Sequence, residues 1–438
     1  MPLMLQKLIY PICLFSLSIF TVTQIQAGPT PIPNSAFASV QKPSPTQILA
    51  AAPTLNAQSY ILMDANSGQI LAEKNIDELR PPASLTKLMT LYIASKALRD
   101  KHIHLSDEVR VSKTAWKTGG SRMFIQVDTL VPVKDLLQGI IVASGNDATV
   151  AIAEHIAGSD SSFVDLMNKQ AAILGMRNSH FMDSNGLPDP QHHSTARDMA
   201  TLARSIIGDF PEDYKWYSQK SFTYNKITQP NRNRLLWHDA SVDGLKTGHT
   251  AEAGYCLVAS AVRNGMRLIA VVMGAPSDRV RSDAVGSLLN YGFRFYKTYQ
   301  LYPPNSAVAS PRVWLAKEQH VPLGVARGIY ITIPQHEYQN LQPSVVLNST
   351  QLMAPIQKGQ VYGALKVTLH GKEISSQPLV ALVDDPLGNL WRRLSDRLVL
   401  TIQNLFRSKT PTVEAPTAEV TKKVVKSKAT TDIAVKTK

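Results

Sequence analysis

Ser84-Leu85-Thr86-Lys87 sets a hydroxyl and an amine three residues apart. On a helix that spacing places both on one face, one turn apart. If the helix is buried, desolvation disfavours the ammonium form of the lysine. A neutral Lys87 can then take the proton of Ser84 and make it a nucleophile. A helix N-terminus adds unpaired backbone N–H groups where an oxyanion would develop. The same residues also read as an N-cap serine and a solvated lysine, and spacing alone does not separate the readings. Ser39-Val40-Gln41-Lys42 has the same spacing, but it lies in a proline-rich stretch with no helix to hold it. A second segment, Ser144-Gly145-Asn146, joins an apolar stretch to a further helix. There Ser144 could pass a proton to a leaving amine and Asn146 could fix a substrate amide. Taken alone, this tripeptide is an ordinary turn. The third segment, Lys246-Thr247-Gly248-His249, precedes an apolar strand. Gly248 lets another backbone approach closely, a substrate peptide could pair there as an added strand, and Lys246 and Thr247 could hold its terminal carboxylate. Lys117-Thr118-Gly119 repeats that tripeptide but comes before Ser144 with no comparable strand pair after it, and reads as a loop.

Elements must bring these segments together. Tyr60 to Asp64 reads as a strand entering a turn at Asn66-Ser67-Gly68, with Ile70 to Ala72 as its return. Residues 84 to 98 lack Gly and Pro and are mostly apolar, the pattern of a buried helix. Helical patterns recur at 133–143, 147–157, 160–174 and 195–207, and another covers 282–299. Arg197-Asp198 reads as a structural ion pair near a helix start. Strand patterns at 254–263 and 267–274 are joined by Asn264-Gly265, a two-residue hairpin signal. Strands at both ends with helices between them predict an α/β domain around an antiparallel sheet over residues 51–300. After Pro303-Pro304 short alternating runs, Ile329 to Ile333, Val345 to Leu347 and Ala364 to Leu369, are spaced by Gly, Pro and Asn; they predict a small all-β domain over 304–386. In 387–407 Leu387, Leu390, Trp391, Leu394, Leu398, Ile402, Leu405 and Phe406 recur mostly at three- and four-residue steps, with Arg392, Arg393, Asp396, Arg397 and Gln403 away from the stripe. This is an amphipathic helix with a basic rim, suited to an anionic membrane surface; docking on its own protein is the alternative. Residues 408–438, Lys-rich and without aromatic side chains, are expected to be disordered.

The 438 residues allow two domains plus appendages, and 44% hydrophobic content supplies a sizeable core. A mean hydropathy of -0.09 excludes a polytopic membrane protein. The net charge of +13 suits an acidic partner, yet no zinc finger or aromatic RNA motif accompanies it, and nucleic acid is not expected. At the N-terminus Lys7, the apolar run Leu8 to Val22 and Ile25-Gln26-Ala27 read as a cleavable signal over residues 1–27, followed by a Pro-rich linker over 28–50. Cleavage would leave Cys256 as the one cysteine, read as a small core residue in an apolar run.

The order Ser84-x-x-Lys87, Ser144-Gly145-Asn146, Lys246-Thr247-Gly248 resembles the S-x-x-K, S-D-N-type and K-T-G set of penicillin-binding proteins and class A β-lactamases. Over roughly residues 50–407 the chain resembles the low-molecular-mass penicillin-binding proteins that are D-alanyl-D-alanine carboxypeptidases. Ala83 to Thr90, Ser144 to Ala151, Ser194 to Ala200, Lys246 to Ser260 and Tyr291 to Phe295 carry the likeness, as does the layout of signal, catalytic domain, β domain and C-terminal helix. The resemblance implies a penicillin-binding/β-lactamase-like transpeptidase fold and a serine enzyme acting on peptidoglycan stem peptides and acylated by β-lactams. It implies export to the periplasmic face of the inner membrane, with peripheral attachment, and no cofactor or metal. By the same resemblance Ser84 forms the acyl-enzyme with Lys87 as base, and Ser144 and Asn146 serve proton transfer and amide recognition. Lys246 lines the site, Thr247 binds the carboxylate, and the N–H groups of Ser84 and His249 form the oxyanion hole. Arg281 helps hold the carboxylate, with Arg279 close enough to compete for that role. A β-lactamase would need a deacylating carboxylate, usually in an E-x-x-x-N segment, and none stands between Asn146 and Lys246. An endopeptidase and a wall-binding scaffold without activity remain as alternatives.

Overall fold

The computed structural model describes residues 51–406. The segments read as signal, linker and Lys-rich tail lie outside the described residues. Two strands, β1 (Ser59–Asp64) and β2 (Ile70–Lys74), are completed near the end of the first domain by β3 (Val242–Thr250), β4 (Gly254–Arg263) and β5 (Met266–Ala275). Together they form an antiparallel sheet in the order β2-β1-β5-β4-β3. Its inner strands, β1, β5 and β4, are largely apolar on both faces because both faces are covered. Ile61, Met63, Val258, Ile269, Val271 and Met273 point into one core, and Leu62, Leu257, Ala259, Leu268, Ala270 and Val272 point into the other. Asn264 and Gly265 both take positive φ, 51° and 77°, as a two-residue hairpin requires.

Between β2 and β3 lies a helical subdomain of α1 (Lys87–Arg99), α2 (Asn146–Ala157), α3 (Asp160–Leu174) and α4 (Ala196–Asp209). It packs on the first core. The opposite face carries α5 (Asp278–Phe295). Ser159, Thr195 and Ser277 cap α3, α4 and α5 through their hydroxyls, which explains where these helices begin. Two readings need correction. The helix expected over 282–299 starts earlier and stops at Phe295. Tyr296–Tyr302 is instead a strand, β6, whose aromatic and β-branched residues pair with Ile329–Pro334; that tertiary pairing overrides local helical periodicity. Arg197 pairs with Asp77 at 2.7 Å rather than with Asp198. The Asp198 carboxylate accepts from the Asn178 N–H and the Ser179 hydroxyl and so ties α4 to the preceding loop.

The second domain is all-β. Its main sheet joins β7 (Ser306–Ala309), β8 (Leu323–Val325), β10 (Leu341–Leu347), β11 (Val361–Leu369) and β12 (Lys372–Ala381) in the order β7-β8-β12-β11-β10. A separate ribbon pairs β6 with β9 (Ile329–Pro334). Leu323, Ile331, Ile333, Leu365, Val367 and Leu379 fill the core. Asp64, buried at the end of β1, accepts the Thr298 hydroxyl of β6 at 2.6 Å, and Ser67 lies 2.6 Å from Thr332 of β9. A polar lock therefore ties the two domains where α5 runs straight into β6. The chain then enters α6 (Leu390–Phe406).

Candidate active site

Ser84 lies on a 3-10 turn, Ala83–Thr86, that leads directly into α1. Lys87 opens α1 and is fully buried. Its Nζ is 2.8 Å from Ser84 Oγ and 2.6 Å from the Asn185 carbonyl oxygen. Burial pulls this amine from the usual lysine range down to about 7, with Asp183 opposing the shift and Arg232 adding to it. The alternative of a solvated lysine is thereby removed, and so is the N-cap reading, since Ser84 sits inside the turn and Pro82 precedes it.

A second serine–lysine pair faces the first. Ser144 ends a π-type turn, Gly139–Ala143, that extends the helix Val133–Gln138. Its φ of 58° is a left-handed conformation that costs a non-glycine residue about 1 kcal/mol and is found at functional sites. Lys246 Nζ on β3 is 2.9 Å from Ser144 Oγ and 3.0 Å from the Thr247 carbonyl. Burial, then repulsion by Lys87, Arg232 and Arg281, holds Lys246 well below the usual lysine range. Asn146, the first residue of α2, donates through Nδ2 to the Gly119 carbonyl at 2.6 Å. Its Oδ1 is buried without a hydrogen-bond partner, a free acceptor for an incoming N–H. Lys117-Thr118-Gly119, read as a loop, thus reaches the site through its glycine carbonyl.

β3 is the edge strand of the sheet and runs beside the Ser84 turn. Thr247 is buried and His249 is exposed, its ring packed on Tyr255 with centroids 4.0 Å apart. The role of Gly248 differs from expectation. A Cβ there would lie 2.8 Å from the Pro82 carbonyl oxygen and 3.2 Å from the Leu85 nitrogen. The backbone that approaches this glycine is the protein's own nucleophile turn. Arg281, with only 7% of its side chain exposed, donates to the Gly248 and Cys256 carbonyls at 3.0 and 3.2 Å and pairs with Asp278 at 2.5 Å. Arg279 is 88% exposed and faces Asp283. Geometry therefore separates the two arginines: Arg281 lies under the Lys246–His249 segment and Arg279 points away. Cys256 is a buried free thiol whose pKa is pushed up by burial.

Several residues that shape the site escaped sequence reasoning. Arg232, exposed in the segment before β3, bears electrostatically on Lys87, Lys246 and Arg281. The fully buried Asp147 carboxylate accepts the N–H groups of Met123, Phe124, Ile125 and Ala148 and so holds the 119–125 loop over Asn146. Asn185 supplies the carbonyl that fixes the Lys87 amine. Nothing local in the sequence marks these residues, because each acts on a segment distant in the chain.

Residues 46–277 match the protein family described as D-alanyl-D-alanine carboxypeptidase, peptidase S11, and residues 296–386 match the penicillin-binding protein 5 C-terminal domain, which begins at β6. The chain is 45% identical to D-alanyl-D-alanine carboxypeptidase DacC of Escherichia coli, over 82% of this chain and 91% of that protein. It is likewise 45% identical to DacA of Haemophilus influenzae, over 81% and 91%. Among solved structures, penicillin-binding protein 5 from Haemophilus influenzae superposes with a TM-score of 0.75 at 44% identity, covering 77% of this chain and 99% of that one. Penicillin-binding protein D2 from Listeria monocytogenes, solved with ampicillin bound, aligns at a TM-score of 0.52 and 29% identity over 56% of this chain and all of that one. With its fold, its two serine–lysine pairs and both domain matches in place, the chain belongs to the peptidase S11 family of D-alanyl-D-alanine carboxypeptidases.

Proposed function

We propose that the chain is a serine D-alanyl-D-alanine carboxypeptidase that removes the terminal D-alanine from peptidoglycan pentapeptide stems and is inhibited by β-lactams. The observation that carries this reading is the buried Lys87 amine, brought to about 7 and set 2.8 Å from Ser84 Oγ. Lys87 accepts the Ser84 proton as Oγ bonds to the carbonyl carbon of the penultimate residue. Negative charge developing on the carbonyl oxygen is stabilised by the Ser84 and His249 N–H groups. The C–N bond breaks as Ser144, bonded to Lys246, delivers a proton to the leaving D-alanine amine. The proton held by Lys87 restores the Ser144 hydroxyl, and water then cleaves the ester, its OH bonding to the acyl carbon and its other proton restoring the Ser84 hydroxyl as the shortened peptide leaves. The unpartnered Asn146 Oδ1 accepts a substrate amide N–H. Thr247 takes the substrate carboxylate, within the positive field of Arg281 and Arg232. With a β-lactam the leaving amine stays tethered in the opened ring, so the acyl-enzyme persists.

The test compares a pentapeptide ending in D-Ala-D-Ala with its C-terminal amide, products being read by mass spectrometry. D-Ala should leave the free acid at least ~10-fold faster than alaninamide leaves the amide, since an unpaired buried cation or hydroxyl is costly. Arg281→Ala should cut the rate on the acid far more than on the amide, and Arg279→Ala should change neither. Equal rates on acid and amide would favour endopeptidase action on cross-links, and rapid multiple turnover of penicillin would favour a β-lactamase.

The same proposal places the chain, exported, at the periplasmic face of the inner membrane, held peripherally by α6. In support, Asp396 is turned inward, only 6% exposed, accepting the Leu315 N–H at 2.8 Å and Arg312 at 3.1 Å, while Trp391 is 81% exposed and Leu390, Leu394, Leu398 and Ile402 are also open. The helix meets its own protein through Asp396, with Arg392 and Arg393 half-buried, and leaves the apolar stripe and Arg397 for anionic lipid. No helix among the described residues is long and apolar enough to cross a membrane.

A further inference from the structure

One half-buried carboxylate behind the nucleophile has no part in the reaction scheme. Asp183 stands in the segment between α3 and α4. Its Oδ1 accepts the N–H groups of Asn185 at 2.9 Å and Gly186 at 2.5 Å, and its Oδ2 lies 3.8 Å from Nδ1 of the buried His192. The turn that Asp183 closes is fastened to the catalytic helix at three places. The Ser184 carbonyl accepts the Thr90 hydroxyl at 2.6 Å. The Asn185 carbonyl accepts the Lys87 amine at 2.6 Å. His192 Nε2 is 2.9 Å from Thr86 Oγ1, one residue before Lys87. Gly186 has φ of 86°, and a Cβ there would fall 1.9 Å from the Ala83 carbonyl oxygen, so the turn presses on the backbone just before Ser84. A neutral primary amine has two N–H bonds and one lone pair. Donating one N–H to Asn185 orients the lone pair of Lys87 toward the hydroxyl 2.8 Å away.

We propose that Asp183 is a positioning residue for the Ser84–Lys87 pair: its carboxylate shapes the turn whose Asn185 carbonyl aims the Lys87 amine, and it places one negative charge behind that amine. The charge acts against burial. Asp183, and Asp147 on α2, favour the ammonium form of Lys87, whereas Arg232 disfavours it, and Lys246 on β3 adds a second amine nearby. Asp183 itself faces His192 and, at the start of α3, Asp160. Its acidity is a balance in which burial pushes the carboxyl up, while His192 and the two N–H donors outweigh burial and hold it below the usual range. Removing the charge while keeping the acceptor therefore makes Lys87 a base at lower pH.

The experiment measures the rate of Ser84 acylation by a fluorescent penicillin, using the full chain and its variants, from pH 5 to 9. Each profile is normalised to its own plateau, which makes the position of the acid limb independent of the folded fraction. Asp183→Asn keeps an oxygen for the Asn185 and Gly186 N–H groups. Its acid limb should move to lower pH by about half a unit or more, on the order of threefold in relative rate on the limb. Asp183→Ala loses the acceptor as well, and its plateau should fall about 10-fold or more below that of Asp183→Asn. An Asp183→Asn limb that stays in place, or moves to higher pH, overturns the proposal, as does equal loss of plateau rate in both variants. The inference rests on the acyl-enzyme reading above. Failure of wild type to label at Ser84, or to show an acid limb, would sink that reading instead.

Discussion

A lysine works as a base only when its amine is uncharged as the substrate arrives. Full burial brings Lys87 to about 7, so the amine is mostly protonated below that pH and mostly free above it. Acylation of wild type by penicillin should accordingly rise through about pH 7 toward a plateau on the alkaline side, measured as the rate of adduct formation. The adduct should map to Ser84 by peptide mass, and labelling at Ser39 would sink the mechanism. Ser84→Ala should give no adduct. Lys87→Arg should slow acylation by about 10³-fold or more, because a guanidinium cannot usefully lose its proton. Lys246 shares the burial but faces other cations, and those neighbours are what distinguish it from Lys87. One residue type is thus held in two different states by environment alone.

β3 and the Ser84 turn are elements held at backbone distance, and Gly248 is the residue that permits it. Gly248→Ala should push the edge strand away from Pro82 and Leu85. Overpacking of this kind costs about 1–3 kcal/mol, visible as a lowered unfolding midpoint. Acylation should fall more than stability suggests, by about 10-fold or more, because the strand also carries Lys246 and Thr247. Unchanged acylation would show that the approach is slack. The hairpin at Asn264-Gly265 and the caps at Ser159, Thr195 and Ser277 are local devices, and local sequence was enough to read the strand pair and α3. The boundary of α5 was not, since β6 forms only because β9 lies beside it.

The two domains meet through Asp64, Ser67, Thr298 and Thr332, all linked by hydrogen bonds of 3.0 Å or less. Beyond them, α6 is fixed to the β domain by Asp396. Removal of residues 387–438 should leave an enzyme with undiminished carboxypeptidase activity, because the described part of that segment, 387–406, makes its recorded contacts with the β domain. Binding to anionic vesicles should fall steeply in the truncated form, as seen by sedimentation with the vesicles. Equal partitioning of truncated and full-length forms would mean that α6 is a docking element of the protein and not an anchor.

The antiparallel sheet, the buried helix after Ser84, the small β domain and the amphipathic stripe follow from periodicity and turn chemistry, so they were legible in the sequence alone. The order of three short motifs, far more specific than any one of them, singles out Ser84, Lys87, Ser144, Asn146 and Lys246, and the fold brings them together. Tertiary structure alone set Arg281 apart from Arg279, two residues away on one helix, because burial under β3 depends on which face the helix turns inward. It alone showed what Gly248 accommodates. It alone gathered Asp147, Asn185, Arg232 and Asp183 around the lysines, because their influence acts through space between segments far apart in the chain. Sequence spacing carries information about neighbours on one helix or strand, whereas the electrostatics of a buried amine depends on every charge the fold brings near it.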